Sequence, residues 1–370
     1  MKNVLFISNY AASYGGNFIP SLNILENMII QKGGRVQYVF PIEAEQYEWS
    51  HGLENIQFTD WSKKDLKNII KSAKKESKIN LIHAHFVNWK QAASVKAVSQ
   101  NIPIVWHFHN HLEINNDEER YKKLIRRIIL KYIYGKAVKI GVSESVSSSV
   151  RDIVGSQNLF TITNAIETFR MEECNRDTII AKNNRIKCLI MGNHYDRKGV
   201  DIALNAIDRL NKNGKEIELY ISVSSDEAIK EYIKRKIGGC EFVHIIPARN
   251  DIASYYRAVD IFLSPSREEG FTYSVIEAAY CGCQVVASAI PGQDEIRIPH
   301  IYWISDPNVK ALENIVVDLM EKIEHCIEDR LNGEYLQNVQ EDVAYIKREF
   351  SLQKWAAEVI NTYYWGKTAT

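Results

Sequence analysis

The segment Val4–Ile7 is a continuous apolar run with no polar position on either face, the pattern of a strand covered on both sides by the rest of a parallel sheet. A glycine-bearing loop follows it, and then a helix-periodic stretch from Phe18 to Ile30 that stops at Gly33-Gly34. Strand-like segments at Val36–Phe40, Leu81–Phe86 and Ile104–His109 alternate with helical ones near Lys63–Lys75 and Lys90–Ser99. Strand, loop and helix in strict rotation demand a parallel sheet with helices on both faces. After a strand at Ile140–Val142 and a segment at Phe160–Thr163, the device restarts. Cys188–Met191 leads through Gly192–Gly199 into a helix at Val200–Asn211, then strands at Ile217–Val223, Phe242–Ile246, Ile261–Leu263 and Gln284–Ala289. Helices fall near Asp226–Ile237 and Ile252–Val259, and beyond Tyr302–Ser305 the chain reads as helical to Tyr364. Two starts of one pattern within 370 residues point to two α/β domains.

Composition narrows the function by exclusion. Forty-six basic and 46 acidic residues give a net charge of zero, so no global field argues for nucleic acid. The six cysteines, Cys174, Cys188, Cys240, Cys281, Cys283 and Cys326, lack paired CxxC spacing and read as reduced thiols rather than disulfides or zinc ligands. The first loop carries Gly15-Gly16 but not GxGxxG, and GxxxxGK[ST] occurs nowhere, so nicotinamide enzymes and P-loop NTPases lose ground. The N-terminal apolar run is too short for a signal-peptide core, and no stretch approaches the roughly 18 apolar residues of a membrane span. The expectation is a cytoplasmic protein able to touch the inner face of a membrane.

The stretch Ser264–Asp294 carries the chemistry. A strand end runs into a charged loop, Arg267–Gly270, then a short apolar helix from Tyr273 to Cys281 stopped by Gly282, then a strand and the turn Pro291-Gly292. Glu269 lies in the loop and Glu277 in the apolar helix, where a carboxylate must reach water, a hydroxyl or a cation. The backbone of Gly270, Phe271 and Thr272 precedes a helix N-terminus, which favours an anionic oxygen. Acceptors for hydroxyls thus sit beside donors for anions, the two needs of a nucleotide sugar. Taken alone, Glu269 also reads as a solvated loop charge and Glu277 as a surface helix residue.

The spacing from Glu269 through Gly270 and Phe271 to Glu277, followed by Ala-Ala, Cys-Gly-Cys and a buried strand into Pro-Gly, resembles the donor site of retaining GT-B glycosyltransferases of family 4. That resemblance implies two Rossmann-like domains facing a cleft: an acceptor domain over 1–168, a donor domain over 169–350, and a C-terminal helix over 351–370 returning to the first domain. Thr163-Asn164-Ala165-Ile166-Glu167 is similar to the family's linker, with the boundary near Glu167–Cys174. By the same resemblance Glu269 bonds the sugar hydroxyls and Glu277 the ribose. Gly15 and Gly16 let the backbone approach the donor phosphates, and His109 faces the transferred sugar, bonding it or steadying charge at the reacting oxygen. Lys198 matches the lysine that grips the diphosphate. Asn193 stands where the family has arginine, Arg197 is the neighbouring substitute, and Thr272 stands where glycine is usual. Arg249 lies in the loop Pro247–Asn250 expected beside the base.

The implied activity is retaining transfer of a hexose from a nucleotide-diphosphate sugar, UDP being the commonest in the family, to a glycan or lipid-linked acceptor in capsule, exopolysaccharide or other cell-surface polysaccharide assembly. With no DxD in the chain, neither metal nor cofactor is expected. A nucleotide-sugar epimerase and a non-catalytic GT-B subunit that binds a partner transferase are the rival readings. Separately, residues 120–139 carry eight Lys or Arg and no acid. There Leu124, Ile125, Ile128, Ile129 and Tyr132 recur on one helical face and Lys122, Lys123, Arg126 and Arg127 on another. Such a helix either lies on an anionic membrane or covers the core with a charged outer face.

Overall fold

The computed structural model describes residues 2–114, 119–172, 179–224 and 226–365. The chain divides into two units, Met1–Ala165 with Leu352–Thr370, and Ile166–Ser351. The family resemblance puts these divisions at 168/169 and 350/351. Residues 173 and 174, the end of the expected boundary segment, lie outside the described residues, as do 175–178 and 366–370.

The first unit holds β1 (Asn3–Ser8), β2 (Arg35–Pro41), β3 (Ile56–Thr59), β4 (Leu81–His85), β5 (Ile104–Phe108), β6 (Val138–Gly141) and β7 (Leu159–Thr161). They form one parallel sheet in the order β3-β2-β1-β4-β5-β6-β7. Alternation along the strands sends successive side chains to opposite faces. Val4 and Phe6 enter one core with the helix Phe18–Gln31, while Leu5, Ile7, Ile82 and Trp106 enter the other with Leu66, Ile70, Leu130 and Ile133. The C-terminal helix Leu352–Thr362 belongs to this unit and packs on Phe18–Gln31, burying Trp355, Val359 and Ile360. Each such large apolar side chain contributes about 1.5–3 kcal/mol.

The second unit holds β8 (Ile186–Met191), β9 (Ile217–Val223), β10 (Val243–Pro247), β11 (Ile261–Ser264), β12 (Gln284–Ser288) and β13 (Tyr302–Ile304), in the order β10-β9-β8-β11-β12-β13, again parallel. The two architectures are those of Rossmann-like domains. Cys188, Cys283 and Cys326 are buried thiols and Cys240 and Cys281 half-buried ones, none of them in a disulfide among the described residues.

The basic segment departs from the sequence expectation. The helix Arg120–Tyr134 ends well before residue 139, and Lys139 lies instead in β6. It is buried and donates to the carbonyls of Tyr134, Gly135, Ala137 and Gln157. Burial pushes its ammonium down to about 8, and it forms no part of a basic face. On the helix itself, Leu130, Ile133 and Tyr134 face the core, whereas Tyr121, Leu124, Ile125, Ile128 and Tyr132 are exposed. Asp117 and Glu118, which precede it, lie outside the described residues.

Candidate functional site

In the second unit β8 and β11 are neighbours, yet the chain leaves β8 toward β9 on one side and β11 toward β12 on the other. Loops leaving their carboxyl ends diverge and open a crevice, the position at which open α/β sheets hold ligands. These loops are residues 192–199 and 265–272.

They meet through charge. Lys198 Nζ lies 2.5 Å from Glu269 Oε1, Ser266 Oγ donates to the same oxygen at 2.9 Å, and Arg197 Nη1 lies 3.6 Å from Oε2. Glu269 is only 5% exposed, and a carboxylate that deep is tolerated because it is paired; removing one partner of such a pair costs about 3–5 kcal/mol. Arg197 turns toward the loop, donating also to the Glu268 carbonyl at 3.2 Å. Burial, and next to it Arg197 and Lys198, push the His194 imidazole below its usual value. Both helices that begin here, Val200–Lys212 and Tyr273–Tyr280, lack a side-chain cap at Gly199 and Thr272. Their N-terminal partial charges add to the attraction for an anion.

A buried framework sets this geometry. Arg267 forks onto both carboxylate oxygens of Asp201 at 2.8 and 2.7 Å, and its N–H donates to the Arg197 carbonyl, so one loop is laced to the other. Gln293, fully buried, accepts from Ser264 Oγ and donates to the carbonyls of Ser264 and Ser288, locking the ends of β11 and β12 together. Gly199 (φ 68°) and Gly292 (φ 82°) back directly onto the second loop: a Cβ would stand 2.0 Å from the Pro265 carbonyl oxygen and 2.3 Å from that of Glu269.

Glu277 is also buried. Arg170 Nη2 donates to its Oε1 at 3.0 Å and Tyr256 Oη lies 3.4 Å from Oε2. Burial, and next to it the Glu277 charge, push the Tyr256 hydroxyl far up, so it remains a donor. Asn193 Oδ1 accepts the Ser224 N–H at 2.6 Å, which fixes one loop against another. Thr272 is buried, with Oγ1 3.2 Å from Ser274 Oγ, and Phe271 meets Tyr273 edge-on. The Arg249 guanidinium covers the Tyr255 ring at 5.5 Å, and Tyr255 Oη donates to the Pro247 carbonyl.

Gly15, Gly16 and His109 belong to the first unit. His109 follows β5, stacks on Phe86 with ring centroids 3.8 Å apart and meets Phe18 edge-on, at the start of the helix that leaves the Gly15-Gly16 loop. Phe86 takes a left-handed φ of 56°, a strained backbone for an aromatic residue and a recurrent feature of functional loops. Burial first, and then the neighbouring imidazoles of His107 and His83, keep His109 well below its ordinary pKa. It is therefore a neutral imidazole, able to exchange hydrogen bonds but not to offer a cationic charge. Arg170, Arg267 and Gln293 carry no signal in the sequence, because each acts through a partner far away in the chain.

The two Rossmann-like units make this a GT-B fold. A structure of Anabaena HepE in complex with UDP and glucose shares it with a TM-score of 0.75 over 98% of this chain and 99% of that one, at 16% identity. Residues 185–322 match the family Glycosyl transferases group 1. Among curated proteins, the lipopolysaccharide glucosyltransferase WaaG of Escherichia coli is 29% identical over 121 residues, 32% of this chain and 30% of WaaG. The N,N'-diacetylbacillosaminyl-diphospho-undecaprenol alpha-1,3-N-acetylgalactosaminyltransferase of Campylobacter jejuni is 41% identical over 96 residues, 24% of this chain and 23% of that protein. The matched stretches thus span less than a third of either relative.

Proposed function

We propose that this protein is a glycosyltransferase that moves a sugar from a nucleotide-diphosphate sugar, with UDP as the nucleotide, to a glycan or lipid-linked acceptor in cell-surface polysaccharide assembly. The observation that carries this reading is Glu269 held between Lys198 and Arg197 at the switch point of the second unit. With donor bound, the two cations turn to the diphosphate and leave Glu269 to accept sugar hydroxyls. Glu277 exchanges Arg170 for the ribose hydroxyls. Lys198, Arg197 and the two helix N-termini stabilise the charge that develops on the leaving diphosphate without a metal ion, and positioning of the acceptor supplies much of the rest. His109 contributes as a neutral hydrogen-bonding group. The diphosphate leaves from the face the acceptor hydroxyl enters, so the anomeric configuration is retained. The names of the WaaG and Campylobacter relatives, and the UDP and glucose of the Anabaena structure, support the sugar-transfer class and the choice of base.

A thermal-shift panel of UDP, GDP, ADP and their common sugars tests the donor. At about a hundred times its dissociation constant, the right nucleotide adds about 2.7 kcal/mol of stability. Glu277→Ala is expected to lose that gain. If no nucleotide shifts the wild type, the donor reading fails and the partner-binding subunit takes its place.

The helix Arg120–Tyr134 supplies the acceptor side of the proposal. Among the described residues no helix is long and apolar enough to cross a membrane. This one instead exposes Tyr121, Leu124, Ile125, Ile128 and Tyr132 beside Lys122, Arg127 and Lys131, apolar and basic groups together, as an anionic bilayer surface requires. It docks the protein on the cytoplasmic face, where a lipid-linked acceptor is within reach. Reversing the charge of Lys122, Lys123, Arg126 and Arg127 is expected to abolish sedimentation with anionic vesicles. Equal sedimentation of variant and wild type would remove the docking.

A further inference from the structure

The first unit contains a histidine cluster that sugar transfer does not use. His83 and His85 alternate along β4 and so share a face, and β5 sets His107 directly opposite His85 in register. The rings of His83 and His85 lie 4.1 Å apart and those of His85 and His107 4.8 Å apart. All three side chains are buried, at 0%, 0% and 3% exposure. Each offers a ligand nitrogen, and the three nitrogens lie within 4.8 Å of one another.

Hydrogen bonding leaves this cluster incomplete. His83 Nδ1 lies 2.7 Å from Tyr363 Oη, and its Nε2 lies 3.2 Å from His107 Nδ1. His85 Nδ1 lies 3.1 Å from His109 Nε2. The Nε2 atoms of His85 and His107 are buried without any partner. Buried polar atoms normally find a partner, and one occupant shared by these two, on adjacent strands and beside His83, would supply it.

We propose that His83, His85 and His107 bind one late first-row transition-metal dication, Zn2+ by preference, whose binding stabilises the first unit. Imidazole nitrogens suit Zn2+, Cu2+ and Ni2+ rather than Mg2+ or Ca2+. Imidazole binds a metal through a neutral ring nitrogen. His85 and His107 supply their unpartnered Nε2 atoms, and His83 turns its Nε2 from His107 to the ion. Tyr363 then fixes the tautomer and orientation of His83 from outside, and His109 does the same for His85. Nitrogen-to-zinc bonds of about 2.0–2.1 Å require these nitrogens, which lie within 4.8 Å of one another, to close in. Three histidines leave a fourth position for water or hydroxide, a ligand set that zinc accepts elsewhere. In the sequence these histidines stand out at strand ends and zinc is a rival reading there, but two ligands come from one strand and one from the next, with no acid or thiol and no convergent spacing to specify a site.

The test uses full-length protein purified without a polyhistidine tag. Titration with Co2+ alone is expected to give visible d–d absorption that saturates at one equivalent, and added Zn2+ to displace it. Zn2+ in hundredfold excess over its dissociation constant is expected to raise the unfolding temperature by about 5–10 °C relative to protein in EDTA. His85→Asn and His107→Asn should each lose both effects, while His325→Asn, an exposed control, keeps them. A wild type with no visible Co2+ spectrum and the same unfolding temperature in Zn2+ and EDTA overturns the site, whether or not the variants fold. A spectrum that survives in folded His85→Asn and His107→Asn assigns the ion elsewhere and overturns it equally.

Discussion

Glu269→Gln is expected to lower turnover at least about a hundredfold, the loss that follows removal of one electrostatic group acting on the reacting centre. The amide keeps the shape and can still accept a hydrogen bond from Lys198 or Ser266. It cannot balance the charges of Lys198 and Arg197, which lie 2.5 and 3.6 Å from the carboxylate in the structure. Thermal unfolding separates the two consequences. The single variant should unfold earlier, because a partly buried ammonium has lost its counter-charge. Adding Lys198→Met should recover part of that stability without recovering turnover, since groups in contact couple in stability. Release of nucleotide and formation of glycoside, both followed over time, supply the readout. Folded Glu269→Gln with turnover within about threefold of the wild type removes Glu269 from the reaction.

Gly199→Ala is expected to destabilise the second unit by about 2–5 kcal/mol, combining a left-handed backbone imposed on a Cβ with overpacking against a carbonyl. For a unit of this size that lowers the unfolding temperature by roughly 5–15 °C. The clash is with the Pro265 carbonyl oxygen at 2.0 Å, main-chain atoms that no rotamer change can clear. Gly292→Ala presses instead on the Glu269 carbonyl at 2.3 Å and on that of Gly270 at 3.0 Å. Its larger effect should fall on donor affinity, because the displaced segment carries the carboxylate itself. Calorimetry with and without nucleotide distinguishes the two. Unchanged unfolding temperature in Gly199→Ala would mean that the 265–272 loop yields easily and that its geometry is not fixed by this contact.

The fold is legible to the extent that burial is written into strands. β1, β8 and β9 stand out because both faces are covered, so apolar residues predominate in them despite Lys187 in β8 and Glu218 and Ser222 in β9. β3, Ile-Gln-Phe-Thr, escapes the pattern: it lies at the edge of its sheet, is four residues long and carries a polar residue at every second position. The basic segment reads as running through Lys139 because charge in sequence gives no account of carbonyls that surround an ammonium in space. Within the site, Glu269, Glu277 and Lys198 draw notice because carboxylates and cations are conspicuous among apolar residues and glycines. Gln293 and Arg170 do not: a glutamine after a Pro-Gly turn reads as solvated, and Arg170 meets Glu277 across 107 residues of chain. The histidines are visible individually, but only the register of β4 on β5 turns them into a cluster.

The C-terminal helix sets an order on biosynthesis. The second unit is an insertion between Ala165 and Leu352 of the first, and its own ends are held side by side where Ile166 bridges Ser351. On the ribosome, the inserted unit is complete as soon as Ser351 has emerged. The first unit, although begun earlier, still lacks Leu352, Trp355, Val359, Ile360 and the Tyr363 that bonds His83. Nascent chains stalled before residue 352 would therefore expose the apolar side of Phe18–Gln31 to chaperones, and the half of the protein that starts first finishes last.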